Sequence, residues 1–345
     1  MARSVTLHDV ARAAGVSLAT ASRVLNGSER KVAATYRDRV LAAARDLQYT
    51  PNLSAQAVAR GRSNSIGLVV ADIVDPYFAA IAAGAMSAAD EADEAGLVVT
   101  ISVTDRDPAR ELSTVHALRG HRPRALLLAG SRPTDPAADA ALEAELRHFA
   151  DTGGRVVLIA ESTIDFPSVR LANHAGARDL GRALHGLGYR RAAVLTGPAG
   201  LITPSERARG FIDGFGPARI YREDFSRDGG HRAARRLLDD LDGTDDREPT
   251  GDVDLVFAAS DVMAVGAMTA LREAGRAPGR DLGVAGFDDV ATIRDITPAL
   301  TTVRVPLEAM GSAAVTLALG EHERPDPVHI AGEVVLREST PARRA

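Results

Sequence analysis

Short runs of apolar residues, most of them followed by an alanine-rich stretch, recur along most of the chain. Seven runs lie at 66–73, 96–103, 124–130, 155–161, 191–197, 254–260 and 282–289. Strands this apolar are buried on both faces, and intervening helical stretches are typical of parallel sheets covered by helices. A further stretch, SVRLANHAG at 168–176, lies where a second sheet would begin. The pattern predicts two similar α/β lobes with a cleft between them, where ligands bind beyond the carboxyl ends of the strands.

The first 62 residues show the spacing of short helices instead. Thr6 is followed three positions later by Asp9, which predicts a capping box at the start of a first helix. Gly15 permits a tight turn, and Ser17 can cap a second helix. Two short helices joined by such a turn predict a helix-turn-helix. A third helix over roughly residues 35–47 would complete the unit by burying Val40, Leu41, Ala44 and Leu47.

The second predicted helix lies in SLATASRVLNGS at 17–28 and is small and polar on one face. Its inward positions are Ala21, Val24 and Leu25. Its outward positions are Leu18, Ala19, Ser22 and Arg23. Small residues allow a helix to enter the major groove of DNA, where bulk would hold it away from the base edges.

Charge is divided unevenly between the two ends of the chain. Residues 1–62 carry ten basic and four acidic side chains, a net charge of +6, whereas the whole chain of 345 residues carries −5. The remainder is therefore at −11. A basic head on an acidic body favours a polyanionic partner for the N-terminal segment. The stretch ARGRSNS at 59–65 has the composition of a linker.

Composition also argues against several classes of protein. The chain contains no cysteine, which excludes disulfides and thiolate metal sites. No apolar stretch approaches the roughly 20 residues of a membrane span, and the first residues do not form a signal peptide. No nucleophile elbow, dinucleotide fingerprint, Walker loop or cluster of metal ligands is present. We therefore expect a cytoplasmic protein that is not an enzyme and has no metal, no cofactor and no membrane contact.

Several stretches, taken in order, resemble the LacI/GalR family of bacterial transcription regulators. They are VTLHDVARAAGVSLATASRVLNGS, RVLAAARDLQYTPN, GRSNSIGLVVADIVDPYF, GYRRAAVLTGP, VAGFDD, LTTVRVPLEAMG and VVLREST. The resemblance implies a helix-turn-helix DNA-binding domain at 1–49 and a hinge helix with linker at 50–63. It also implies a two-lobed, periplasmic-binding-protein-like domain at 64–345 for effector binding and dimerisation. Lobe 1 is expected at about 64–162 and 291–322, and lobe 2 at about 163–290 and 323–340.

The same resemblance implies which residues face DNA. Leu18, Ala19 and Arg23 would read bases, because an apolar side chain suits a thymine methyl group and arginine suits the acceptors of guanine. Phosphate contacts, which fix register without specifying sequence, would come from Thr6, Ser17, Thr20, Ser22 and Asn26. Hinge contacts would come from Asn52, Ala55 and Val58, the last standing where the family has a leucine that enters the minor groove. Local packing remains an alternative for Leu18, and a plain phosphate contact for Arg23.

For the cleft, the resemblance implies a site for a small-molecule effector, a sugar or related metabolite. The implied residues are Asp75, Tyr77, Phe78, Asp105, Arg207, Phe225, Asp261 and Asp288. Carboxylates and an arginine hydrogen-bond hydroxyl groups, and aromatic faces cover the apolar side of a sugar ring. Asp288 and Asp289 also resemble a catalytic pair of carboxylates, but after a strand such residues more often form a turn and a cap. Core packing is the alternative for Phe225.

Three departures from the family pattern alter the expected cleft. Ala160 and Glu161 stand where the family usually has Asp-Arg, Ala172 replaces an aspartate, and Ser260 replaces a frequent asparagine. The cleft thus loses two carboxylates and gains one where a cation is usual.

The function expected from this chain is a homodimeric repressor that binds pseudo-palindromic operator DNA under the control of a small molecule. The alternatives are a solute-binding protein of a transport system and a regulator without an effector.

Overall fold

The computed structural model describes residues 5–25, 32–50, 63–92, 97–132, 134–242, 253–320 and 326–343. The chain divides into two compact units, Met1–Asn64 and Ser65–Ala345. Four of the predicted DNA-facing residues, together with the predicted hinge helix, lie outside the described residues. These four are Asn26, Asn52, Ala55 and Val58.

Three helices form the described part of the first unit: α1 (Leu7–Ala14), α2 (Leu18–Leu25) and α3 (Ala34–Asp46). The predicted capping box is present, because the Asp9 carboxylate accepts a hydrogen bond from the backbone N–H of Thr6 and the Thr6 hydroxyl oxygen accepts from that of Asp9. Gly15 adopts φ 61° at the end of α1, a left-handed conformation that glycine takes at little cost. The Ser17 hydroxyl accepts from the Thr20 N–H at 3.1 Å. The predicted helix-turn-helix is confirmed.

The core of this unit differs from the prediction at one position. Val40 and Ala43 are buried, but Leu41, which we expected to be buried, is 37% exposed. Positions 40, 43, 44 and 47 share one face of a helix with 3.6 residues per turn, whereas position 41 points about 100° away from position 40.

The second unit contains two separate parallel sheets, as the seven apolar runs predict. Within the described residues the first sheet consists of β1 (Ser65–Val70), β2 (Val98–Val103), β3 (Ala125–Ala129), β4 (Arg155–Ile159), β5 (Ser168–Leu171) and β11 (Val328–Ile330). Their order is β11-β5-β4-β3-β1-β2. The second sheet consists of β6 (Ala192–Thr196), β7 (Ala218–Arg222), β8 (Leu255–Ala258) and β9 (Gly283–Ala285), in the order β7-β6-β8-β9.

Eight helices of the described chain cover these sheets. They are α4 (Pro76–Ala92), α5 (Pro108–Gly120), α6 (Pro136–Asp151), α7 (Asn173–Gly186), α8 (Ile202–Phe215), α9 (Arg227–Asp242), α10 (Asp261–Glu273) and α11 (Leu307–Leu319). Helices α4 and α11 approach so closely that a Cβ placed on Gly84 would lie 1.9 Å from the Glu308 carbonyl oxygen. Only glycine fits there.

The expectation that 168–176 begins the second sheet is wrong. The strand at its start, β5, pairs with the last two residues of β4, in the register Leu158 to Ser168 and Ile159 to Val169. Because β5 is displaced along the sheet, a loop of eight residues joins it to β4, and no long crossover is needed. Strand β11 then pairs with β5. Both strands were expected in lobe 2, but both belong to the first sheet.

Two short strands, β10 (Thr302–Arg304) and β12 (Glu333–Val335), pair antiparallel with each other. Strand β10 leads into α11, which packs on α4, and β12 follows β11 of the first sheet. After β12 the chain returns to the second sheet, where Val284 donates its N–H to the Ser339 carbonyl. These strands are therefore crossovers between the two lobes.

Among the described residues, no helix combines the length and apolar character needed to span a bilayer. No group of three or more metal-ligating side chains is placed among them to hold an ion.

We predict that a chain starting at residue 63 folds without the first unit, because the second unit has its own sheets and core. Its circular dichroism should show cooperative thermal unfolding, and it should not bind DNA. Retention of DNA binding by this truncated chain would contradict the assignment of DNA contacts to the first 62 residues.

Candidate functional site

The outer face of α2 is accessible and small. Leu18 is 44% exposed, Ala19 and Arg23 are exposed, and Ala21 on the opposite face is completely buried. Leu18 therefore does not serve as a core residue. The Thr20 hydroxyl lies 2.9 Å from that of Ser17, so the two hydroxyls are joined at the start of the helix.

Two further predicted contact residues, Ser22 and Thr6, differ in how accessible they are. Ser22 is half-buried on α2. The Thr6 hydroxyl is exposed but already takes part in the capping box, where it donates to the Asp9 carboxylate at 2.7 Å. The face as a whole offers one arginine, one leucine and several short side chains, which is suited to close approach to a groove edge.

The second unit contains a cavity at the carboxyl ends of strands from both sheets, here called the cleft cavity. Six of the eight predicted effector residues line it: Asp75, Tyr77, Phe78, Arg207, Phe225 and Asp288. The sequence prediction omitted several further lining residues, among them Arg106, Ser131, Asn173 and Thr203, and Ser260 and Glu161 from the departures also line it.

A buried ion pair lies at the cleft cavity. Arg207 on α8 is only 1% exposed, and its Nη2 lies 2.8 Å from Oδ1 of Asp288 while its Nη1 donates to Oδ2 at 3.1 Å. Burial raises the pKa of Asp288, and the adjacent Arg207 guanidinium opposes this by stabilising the carboxylate. Oδ1 has no hydrogen bond of acceptable geometry within the described chain, so this oxygen can accept one from a ligand.

The guanidinium of Arg207 forms further contacts besides the ion pair with Asp288. Its Nε donates to the Asn173 side-chain oxygen at 2.8 Å, and its Nη1 also donates to the Ala259 carbonyl at 2.9 Å. Its carbon lies 4.0 Å from the centre of the Phe287 ring, close enough for a cation–π contact. Arg207 is thus fixed in one orientation before any ligand binds.

The first lobe supplies an aromatic and acidic wall. Tyr77 and Phe78 at the start of α4 meet edge to face, with ring centres 5.1 Å apart. The Asp75 carboxylate accepts from the Tyr77 N–H at 3.0 Å, and burial raises the pKa of Asp75. Arg106 lies 3.8 Å from the same carboxylate and 6.0 Å from the ring centre of Phe225 in the other lobe. Aromatic faces and hydrogen-bonding groups therefore converge on one space.

Two predicted effector residues do not line the cleft cavity. The Asp105 side chain is 60% exposed and forms an ion pair with Arg110. Both Asp105 and Arg106 have positive φ angles, 53° and 59°, and this backbone turn directs Arg106 rather than Asp105 into the cavity. The sequence shows that an aspartate and an arginine follow β2 side by side. It does not show which of the two side chains points into the cavity.

Asp261 is also placed elsewhere. Its carboxylate is buried at the start of α10, where it accepts from the Thr302 hydroxyl at 2.6 Å and from the Val290 N–H at 3.0 Å. It therefore joins α10 to crossover strand β10. Burial raises the pKa of Asp261 to about 6.

The two neighbouring aspartates after β9 face different partners. Asp288 faces Arg207, whereas the Asp289 carboxylate accepts from Arg304 Nε at 2.8 Å and from Arg337 Nη2 at 2.6 Å. Their φ angles are 120° and 56°. The backbone of Asp288 forms an isolated β-bridge with Arg304, and each carboxylate is bound by different arginines, so the two aspartates do not act as a pair.

The departures from the family pattern have local consequences. The Glu161 carboxylate pairs with Arg170 at 3.3 Å, which offsets the extra negative charge. Ser260 caps α10 by accepting from the Met263 N–H, and Ala172 at the start of α7 provides no side-chain cap.

We predict that Asp261→Asn changes how stability depends on pH. A carboxyl whose pKa rises from about 3.9 when unfolded to about 6 when folded favours the folded state at low pH, and this contribution is lost as the pH increases to about 6. The free energy of unfolding of the variant relative to wild type should therefore rise by about 2 kcal/mol between about pH 4.5 and pH 7. Urea titrations measure this, with the exposed Asp228→Asn as control. An identical difference at both pH values would contradict the prediction.

Comparison with known proteins agrees with this architecture. Residues 6–52 match the model of bacterial regulatory proteins of the lacI family, and residues 182–340 match a periplasmic binding protein-like domain. The HTH-type transcriptional regulator CelR of Thermobifida fusca is 32% identical over 98% of both chains.

Solved structures give the same result. The lac repressor dimer bound to operator and the anti-inducer ONPF superposes with a TM-score of 0.82 at 27% identity, over 99% of this chain and all of the other. A complex of the transcriptional regulator CelR with cellobiose has a TM-score of 0.66 at 29% identity, over 97% of this chain and 99% of the other. The family resemblance of the sequence is confirmed: the chain belongs to the LacI family of bacterial regulatory proteins, and it is a ligand-controlled, DNA-binding transcriptional regulator rather than an enzyme.

Proposed function

We propose that this protein is a homodimeric repressor whose affinity for a pseudo-palindromic operator is controlled by a hydroxylated small molecule, a sugar or related metabolite. The observation that carries the effector proposal is the preoriented Arg207–Asp288 pair in a cavity walled by Tyr77, Phe78 and Phe225. A guanidinium and carboxylates exchange hydrogen bonds with hydroxyl groups, and aromatic faces cover the apolar side of a ring. The related complexes with an operator and with cellobiose support the same assignment.

The proposed effector residues are the six predicted ones that line the cleft cavity, together with Arg106 and Asn173. The control follows from differential affinity, because a ligand shifts the protein between two states only as far as it binds them unequally. A cavity with walls from both lobes provides such a difference, since any change in the angle between the lobes alters the contacts.

The proposed DNA contacts are those implied by the sequence, with residues 1–49 as the DNA-binding domain and 50–63 as hinge. The accessible face of α2 and the charge of +6 on residues 1–62 support them. A repressor that acts on DNA works where the chromosome is, so we propose the cytoplasm as its location.

We predict that Arg23→Ala relaxes base preference at one base pair of each half-site. If Arg23 reads a guanine, its loss should cost roughly 1–3 kcal/mol on the preferred operator and much less on an operator mutated at that pair. Fluorescence anisotropy with both operators measures the difference, and Arg12→Ala, which removes an exposed arginine from α1, is the matched control. An equal loss on both operators would mean that Arg23 only contacts phosphate.

We predict that Asp288→Asn removes the effector response. The exchange keeps the size of the side chain and an acceptor for Arg207, but it replaces one charged oxygen that is available to a ligand. A hydrogen bond to a charged group is worth about 1.5–3 kcal/mol, so effector affinity should fall at least about 10-fold. Operator affinity without effector should stay near wild type.

The effector for this test comes from a thermal-shift screen of sugars on the wild-type protein, and the readout is operator release on titration. Asp105→Asn is the matched control, because Asp105 lies beside Arg106 but outside the cleft cavity. A normal dose–response in Asp288→Asn would place the effector elsewhere.

A further inference from the structure

Helix α8 begins without a cap of its own. The first N–H groups of a helix have no partner inside it, and a short polar side chain just before the helix usually supplies one. Leu201 stands in that place and provides no side-chain cap, and Pro204 has no N–H group. The N–H groups of Ile202 and Thr203 therefore need acceptors from elsewhere.

The first lobe supplies both acceptors. The Thr203 N–H donates to the Ser131 hydroxyl at 3.0 Å, and the Ile202 N–H donates to the Arg132 carbonyl at 3.4 Å. Ser131 and Arg132 lie in the loop after β3, whereas α8 belongs to the second lobe. Ser131 is thus an N-cap supplied across the cleft, and separation of the lobes would leave both N–H groups of α8 without these acceptors.

A second contact between the lobes lies beside this cap. The backbone N–H and the hydroxyl of Thr134 both donate to the Gly200 carbonyl, each at 2.8 Å. Gly200 has a φ of 96°, which favours glycine, although no atom lies within 4 Å of the position of a Cβ. Glycine is therefore needed here for the backbone angle and not for space. The residues of these contacts, here called the interlobe latch, are Ser131, Arg132 and Thr134 of the first lobe and Gly200, Ile202 and Thr203 of the second.

The two lobes are closed around very little space. Only about 30 Å³ of the cleft cavity is open to water, which is the volume of about one water molecule in the liquid. A sugar ring therefore enters only when the lobes move apart. Ser131 and Thr203 line this cavity, and Arg207 follows one turn further along α8, so the interlobe latch and a proposed effector residue share one helix.

We propose that the interlobe latch holds the cleft closed without a ligand, and that an effector binds only to the form in which the latch is broken. Ser131 is the positioning residue of this device, because it caps α8 from the opposite lobe. The latch lowers the fraction of the open form, and the apparent affinity for an effector falls in proportion to that fraction. This inference rests on the proposed effector control and adds the contact that the effector must overcome.

The test is amide hydrogen exchange of the full-length protein without ligand, resolved to single residues. In Ser131→Ala the N–H groups of Ile202 and Thr134 keep their acceptors, so a purely local loss of the cap leaves their exchange unchanged. Wider opening of the lobes speeds exchange at both, because exchange of a protected amide follows the open population. We expect a rise of about 2- to 10-fold, as the loss of one neutral hydrogen bond implies. Ser131→Thr retains the hydroxyl and should stay near wild type.

Ser226→Ala is the matched control, because the Ser226 hydroxyl also accepts at the start of a helix, from the Gly229 N–H at 3.1 Å, but within the second lobe. It should leave exchange at Ile202 and Thr134 unchanged. Faster exchange confined to Thr203 in Ser131→Ala, or the same rise in Ser226→Ala, overturns the interlobe latch. Since no effector is present, that result leaves the proposed effector control standing.

Thr134→Val tests the link to the effector, because Thr134 belongs to the interlobe latch but does not line the cleft cavity. The sugar selected by the thermal-shift screen should bind this variant more tightly than wild type, by the factor by which exchange at Ile202 rises. Unchanged or weaker binding together with faster exchange overturns the claim that the effector breaks the latch. If no sugar binds either protein, the sugar effector is overturned, and hydrogen exchange still decides whether the latch holds the lobes closed.

Discussion

The buried ion pair between Arg207 and Asp288 is the interaction on which the cleft cavity depends. It joins α8 to the loop after β9, across 81 residues of sequence. Two charges taken out of water are tolerated only when their hydrogen-bonding groups are largely satisfied. Asn173 and the Ala259 carbonyl satisfy most of the guanidinium, so the ends of β5 and β8 are held against α8 as well. The requirement to satisfy one buried arginine thus sets the relative positions of four elements around the cavity.

The residue next to this pair extends the constraint to the crossovers between the lobes. Asp289 binds Arg304, on β10, and Arg337, which follows β12. The backbone of Asp288 also pairs with β10, since its N–H donates to the Val303 carbonyl at 2.9 Å. A ligand that contacts Asp288 therefore acts on the residue next to Asp289, whose side chain binds both crossovers. The positive φ angles of the two aspartates persist because these contacts determine the conformation from both sides.

Much of the fold was predictable because it follows from local pattern. Strands buried on both faces appear as apolar runs, and every predicted run contains a strand. Strand β7 was not predicted. It is an edge strand in which only Tyr221 is buried, so its sequence does not form an apolar run. Strand β5 was assigned to the wrong sheet, because sequence shows where a strand lies but not which neighbour it pairs with. Pairing depends on register between segments distant along the chain.

The sequence by itself determined the elements whose causes are local. The capping box of Thr6 and Asp9, the left-handed turn at Gly15 and the small outer face of α2 all depend on residues within a few positions of one another. It also determined that acidic residues follow several strand ends. Only the tertiary structure decided which of them faces the cavity. Asp288 lines it, whereas Asp261 binds Thr302 of β10, and Arg106 lines the cavity in place of Asp105. The physical reason is that the direction of a side chain at a strand end depends on backbone angles that distant hydrogen bonds and ion pairs impose, and no local pattern specifies those.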